Sequence, residues 1–153
     1  DAEPADFCIG VGGYPEKHFE SANLRLDVRH TKEKVEAGAH YIVTQMFFNN
    51  DHYFRYVDAC REQGITVPII PGLKILSSAK QLATIPRTFF VEIPDALSDE
   101  VLAAKPEHIQ DIGVRWALKQ SEELLSRGAP ALHFYVMQNA TAVKKLMAQL
   151  KLD

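Results

Sequence analysis

Polar residues follow each of four apolar runs, and these are the positions where the chain could bind or transform a ligand. Tyr14, Glu16, Lys17 and His18 follow the first run, and Gln45, Asn49, Asn50 and Asp51 end or follow the second. Lys74, Lys80 and Gln81 follow the third, and Gln138 and Asn139 the fourth. In parallel α/β sheets ligands collect at the C-terminal ends of strands, so Tyr14, Gln45 and Gln81 are predicted to share one rim. Gln45 is the sharpest case, because it closes the otherwise apolar stretch Ile42, Val43 and Thr44. An amide there needs partners, and leaving one group unmet costs about 1–3 kcal/mol. Backbone could supply them, and so could the edge of a heterocycle; the second reading is favoured because strand ends host sites.

Other candidates are weaker on spacing alone. Gly10, Gly12 and Gly13 match a phosphate loop only in part, because Pro15 stands where the last Gly of GxGxxG belongs. A strand whose glycines admit a flat ligand or another backbone is the favoured reading. The six His form no pair with ligand spacing on one helix face, so no metal site is expected. His40, His52 and His108 read as solvated and His133 as a core residue of its strand. His18, in a polar turn beside Tyr14, reads equally as a ligand contact and as a surface residue. Asp27 and Lys34 are two helical turns apart and share a face, where charges are ordinarily solvated.

The elements that must position these residues alternate. Apolar runs at 7–14, 41–48, 67–72 and 131–137 are near-continuous, the pattern of strands buried on both faces of a parallel sheet. Between them, helical spacing joins Val28, Thr31 and Val35, then Phe54, Val57 and Arg61. A longer stripe joins Ile109, Ile112, Trp116, Gln120 and Leu124. Gly38, Gly64 and Gly128 follow these stretches as C-terminal stops. Asp51 is the predicted N-cap of the second helix, and Pro106 is predicted to open the last long one. Pro86 and Pro94 break any long helix in the irregular stretch 77–108. The predicted order is β-α-β-α-β-α-α-β-α with all strands parallel, because 58 residues between Gly72 and Ala131 far exceed one crossover.

Composition narrows the class. A chain of 153 residues reads as one domain with a substantial core. With 17 Lys and Arg against 20 Asp and Glu, no basic excess exists to hold a nucleic acid. No apolar run is long enough to span a bilayer, so no membrane partner is expected. Cys8 and Cys60 stand alone, which points to a reducing, cytoplasmic compartment. The acidic, small residues at the start are not a signal peptide, and the absence of an initial Met reads as a piece of a longer protein. Four βα units fit a small doubly wound sheet or part of a (β/α)8 barrel. A complete barrel takes roughly 250 residues, so a barrel chain of this length would be half of one.

The motifs then become recognisable. The stretches 13–18 (GYPEKH), 34–39 (KVEAGA), 42–48 (IVTQMFF), 68–72 (PIIPG) and 132–135 (LHFY) resemble, in order, those of the methylenetetrahydrofolate reductase family. The resemblance runs from residue 7 to about 139. It implies an α/β fold of the TIM (β/α)8 type, with residues 1–153 forming the C-terminal half, strands five to eight. It also implies FAD as cofactor, NAD(P)H and folate as substrates, reduction of 5,10-methylenetetrahydrofolate to 5-methyltetrahydrofolate, and a homo-oligomer at full length.

Position by position, the resemblance assigns Tyr14, His18, Ser21, Asp27 and Lys34 to FAD, with Lys34 directed towards the pyrophosphate. Gln45 falls in the shared nicotinamide and folate site, and Gln81 on the pterin side. Family members often carry Arg where this chain has Asn139, so the folate tail lacks its usual counter-charge. The family's general-acid Glu lies in the first half of the barrel, and neither Glu16 nor Glu92 matches it. No catalytic residue is therefore expected in this chain, and alone it would be incomplete. A rival reading is a non-catalytic βα domain that binds a small molecule or another subunit.

Overall fold

Each apolar run forms a strand of one parallel sheet, and the amphipathic stretches between them form helices laid against it. The computed structural model describes residues 7–136 and 140–151. In chain order it contains β1 (Gly10–Gly13), α1 (Leu24–Glu36), β2 (Tyr41–Met46), α2 (Asn50–Glu62), β3 (Ile69–Leu73), α3 (Gln81–Phe89) and α4 (Asp95–Ala103). A 3-10 turn (Pro106–His108), α5 (Ile109–Ser126), β4 (His133–Phe134) and α6 (Thr141–Met147) complete it. The sheet runs β1-β2-β3-β4, and every neighbouring pair is parallel. Spatial order equals chain order with no reversal. That is the winding of a barrel wall, whereas a doubly wound sheet turns back at a switch point.

Three helices, not two, lie between β3 and β4, because α3 stops at Phe90, in a left-handed conformation, and an irregular segment to Pro94 separates it from α4. Pro86 does not end α3; it sits within it, in a helix of only nine residues. The strands are shorter than their apolar runs, β4 most of all, with two residues. Gln138 and Asn139 lie outside the described residues. The expected stops hold: Gly38, Gly64 and Gly128 adopt φ of +111°, +79° and +86°, where a side chain would be strained.

The main core lies between the sheet and its helices. Ile42, Ile69 and Leu73 from β2 and β3 pack on Val28 of α1, on Tyr53, Tyr56 and Cys60 of α2, and on Leu124 of α5. The buried face of α2 is thus one residue out of phase with the predicted Phe54 and Val57, which are half-buried. Aromatic residues on both neighbouring faces hid the true stripe. The N-cap is Asn49, whose side chain accepts from the Asp51 N–H, rather than Asp51. A second cluster joins Met46, Phe48 and Leu76 to α3, α4 and the start of α5, roofing the C-terminal ends of β2 and β3. Among the described residues no helix is long and apolar enough to cross a membrane.

Candidate functional site

All the polar rim residues in view leave the C-terminal ends of their strands. The chain turns directly after β1, where the Lys17 N–H donates to the Tyr14 carbonyl at 2.9 Å and Lys17 takes a left-handed φ of 67°. This turn sets the rings of Tyr14 and His18 edge to face, 4.6 Å apart. Lys34 reaches back from α1 to donate to the Gly12 carbonyl at 3.2 Å, which holds its ammonium 5.8 Å above the Tyr14 ring. One step further the Ser21 N–H donates to the His18 carbonyl at 3.0 Å, and Ser21 Oγ donates to Asp27 Oδ1 at 2.9 Å. Asp27 is buried, and its other oxygen has no partner among the described residues. The five residues assigned to a cofactor thus form one connected group around residues 12–21. Spacing had left Asp27 among solvated charges; at 4% exposure it is not one.

The glycines of β1 admit side chains. A Cβ on Gly10 would meet the Tyr41 ring, one on Gly13 would meet Tyr56 and Ile42, and Tyr14 lies over Gly12. The groups that approach are side chains of this chain, Tyr41, Tyr56 and Ile42, rather than the flat ligand or second backbone expected.

The end of β2 is irregular in a useful way. Val43 pairs with Ile70 and Met46 with Gly72, so three steps on β2 face two on β3, a β-bulge. The bulge frees backbone groups that must find other partners. Gly72 N–H donates to Thr44 Oγ1 at 2.9 Å, Met46 N–H to Gln45 Oε1 at 3.0 Å, and the Tyr135 hydroxyl to the Thr44 carbonyl at 2.8 Å. Gln45 therefore satisfies backbone with its oxygen, while its amide nitrogen has no partner among the described residues.

Gln45 and Gln81 line one cleft of about 360 Å³, together with Lys74, Tyr135, Ile85 and Phe89. Gln81 repeats the arrangement of Gln45, since its Oε1 accepts from the Ser77 and Ser78 N–H groups at 2.7 and 3.3 Å. An N–H can only donate, so both amide oxygens are committed, and both amide nitrogens remain as donors without a partner among the described residues. Burial pushes the Tyr135 phenol up, with the charge of Tyr14 as a second cause. Gly13 pairs with Thr44, so the turn that carries Tyr14 leaves the sheet next to the end of β2. Sequence reasoning set Lys74 on the rim without a specific role and assigned none to Thr44 or Tyr135. Lys74 and Tyr135 each follow a strand directly, and that position was the available signal.

A second cluster sits at the edge of the rim. Glu16 Oε2 accepts from the Glu92 N–H at 2.8 Å, and His52 Nε2 lies 3.7 Å from Glu92 Oε2. The three side chains bring ligand-type atoms within 4.8 Å of one another. Arg55 donates to His52 Nδ1 at 2.7 Å, so the neutral ring carries its proton on Nε2, the nitrogen that a metal would need. Burial lowers the His52 pKa and Arg55 adds to this, while burial raises Glu16 to about 7. His52 is therefore half-buried rather than solvated, and His133, expected in the core, is exposed.

Comparison with known proteins places this geometry in a family. Residues 2–151 match the sequence family described as methylenetetrahydrofolate reductase. Methylenetetrahydrofolate reductase 1 of Schizosaccharomyces pombe is 34% identical over 149 residues, covering 96% of this chain and 25% of the yeast protein. The 5,10-methylenetetrahydrofolate reductase of Salmonella typhimurium is 36% identical over 140 residues, covering 90% of this chain and 47% of the bacterial one. The chain thus spans about half the length of its bacterial relatives. A protein of Clostridium thermocellum that binds two copies of 5-methyl-5,6,7,8-tetrahydrofolic acid has a similar fold, with a TM-score of 0.63 at 19% identity. The match covers 95% of this chain and 53% of that one. The chain belongs to the methylenetetrahydrofolate reductase family.

Proposed function

We propose that this chain is the C-terminal half, strands five to eight, of the flavin-dependent barrel of a cytoplasmic, oligomeric reductase. The reaction converts 5,10-methylenetetrahydrofolate to 5-methyltetrahydrofolate; NADH or NADPH gives up a hydride, and a proton completes the balance. Family membership, a span of about half the bacterial relatives and a sequentially wound parallel sheet support the reading. One observation carries it. The group Tyr14, His18, Ser21, Asp27 and Lys34 gathers after β1, and the donor-rich cleft holding Gln45 and Gln81 opens at the same C-terminal end of the sheet, at the neighbouring strands β2 and β3.

The first group suits FAD. The unpartnered oxygen of buried Asp27 is an acceptor that calls for a hydroxyl donor, and a sugar or ribityl chain carries several. The exposed Lys34 ammonium supplies positive charge for a phosphate, and the Tyr14 and His18 rings supply apolar faces. FAD, when bound, supplies the two-electron relay between nicotinamide and folate. In the cleft, the amide nitrogens of Gln45 and Gln81 donate to the carbonyl and ring nitrogens of a heterocycle and fix its orientation. Ile85 and Phe89 on the wall exclude water from that heterocycle. No side chain of this chain is assigned to deliver the proton; that role falls to the remainder of the barrel.

Purifying the protein at its natural length tests the reading. A flavin absorbance band and NAD(P)H oxidation that depends on methylenetetrahydrofolate are expected. A colourless protein that FAD cannot reconstitute would overturn it.

A further inference from the structure

Lys74 leaves the end of β3 and lines the Gln45–Gln81 cleft, half-buried. Its ammonium donates to the Tyr135 carbonyl at 3.0 Å and forms no ion pair with any carboxylate among the described residues. Burial lowers its pKa, the sign of a charge taken from water without compensation. The same side chain lines a second cavity of about 120 Å³, walled by Ser77, Gln110 and Phe134. Lys74 and Tyr135 therefore stand between the two spaces. The amide donors of Gln45 and Gln81 are matched by a neutral heterocycle, whereas an ammonium with donors to spare is matched best by an anion.

We propose that Lys74 is a specificity residue that receives a carboxylate of the ligand whose heterocycle lies against Gln45 and Gln81. The ligand class is an elongated pterin bearing an acidic tail, and Lys74 selects it over the bare pterin ring. The assignment rests on the folate reading above. A cation that only braced the Tyr135 carbonyl would not distinguish the two ligands.

The test uses the full-length protein and two probes, 5-methyltetrahydrofolate and a tail-less 5-methyltetrahydropterin, titrated by calorimetry. Lys74→Met is expected to weaken the folate roughly tenfold or more, the effect of losing one charge-assisted hydrogen bond. Its affinity for the tail-less pterin should stay within about twofold, and the salt dependence of folate binding should flatten. Lys74→Arg, which keeps the charge, should recover most of the loss, and a thermal midpoint for each variant separates binding from unfolding. Equal losses on both probes, or none on either, would overturn the role of Lys74 while leaving the folate reading intact. Failure of the unaltered protein to bind either probe would overturn both.

Discussion

The Tyr135 hydroxyl donates a 2.8 Å hydrogen bond to the Thr44 carbonyl, reaching from the end of β4 over β3 to β2. The ring crosses at Gly72, where a Cβ would lie 2.7 Å from Tyr135 Cε2 and collide with the Thr44 carbonyl as well. One tyrosine thus ties the bulge at Gln45 to the strand that carries Lys74. Gly72→Ala should destabilise the protein by about 1–3 kcal/mol through overpacking. Tyr135→Phe should cost about 1–2 kcal/mol by leaving a buried carbonyl unmet. Urea midpoints measure both. A neutral Gly72→Ala would show that the crossing is loose.

Asn50 makes a different prediction. It is 5% exposed at the start of α2, donates to the Gln120 carbonyl at 3.1 Å and to Glu123 Oε2 at 2.8 Å, and accepts from Gln120 Nε2 at 3.0 Å. Asn50→Ala removes one of the two acceptors of the Gln120 amide, leaving it the Phe47 carbonyl at 3.4 Å, and takes the donor from Glu123 Oε2; it should cost about 1–3 kcal/mol. The urea midpoint should fall with the slope unchanged. Retained stability would mean that water or a rotated Gln120 replaces the amide.

The fold was largely legible because strands buried on both faces write continuous apolar runs, and the stops at Gly38 and Gly64 bound the helices between them. α4 was not, since Asp95 to Ala103 lacks a clear apolar stripe and only Leu97 and Val101 are buried. The site divided in the same way. Gln45 could be named because a lone amide at the end of an apolar run is conspicuous, whereas Gln81, in the polar stretch 77–81, owed its role to the family resemblance. The bulge that gives Gln45 its backbone partner depends on β3, distant in sequence, and so do the roles of Thr44 and Tyr135. The contact between Glu16 and Glu92 joins residues that no spacing rule connects.

Asp27 carries a cost that a bound hydroxyl donor would offset. One oxygen accepts from Ser21, and the other is buried without a donor. Asp27→Ala should therefore leave the flavin-free protein as stable as before or more so, yet weaken FAD binding roughly tenfold. Thermal melts of apoprotein and flavin titrations of both forms measure the two effects. Loss of stability with unchanged flavin affinity would make Asp27 structural and remove it from the cofactor site.

The last prediction concerns pH. Burial is the main cause that raises Glu16 from 4.5 to about 7; the charge of Glu92 adds to it, and the Glu92 N–H and Arg55 oppose it. Between those two values the folded protein holds a proton that the unfolded chain releases. This contribution is therefore full below about 4.5, declines as pH rises towards 7, and is lost above. His52, held below its ordinary 6.5 by burial, Arg55 and despite Glu92 and Asp51, acts in the opposite sense as pH falls below 6.5. Comparison with Glu16→Gln isolates the first effect, because His52 is present in both proteins. The variant keeps an acceptor for the Glu92 N–H and places a neutral amide where Oε1 has no partner. Its melting temperature relative to the unaltered protein should rise steadily from pH 4.5 to 7 and then level off. Parallel curves would mean that Glu16 is ionised throughout, so that its contact with the segment around Glu92 is indifferent to pH.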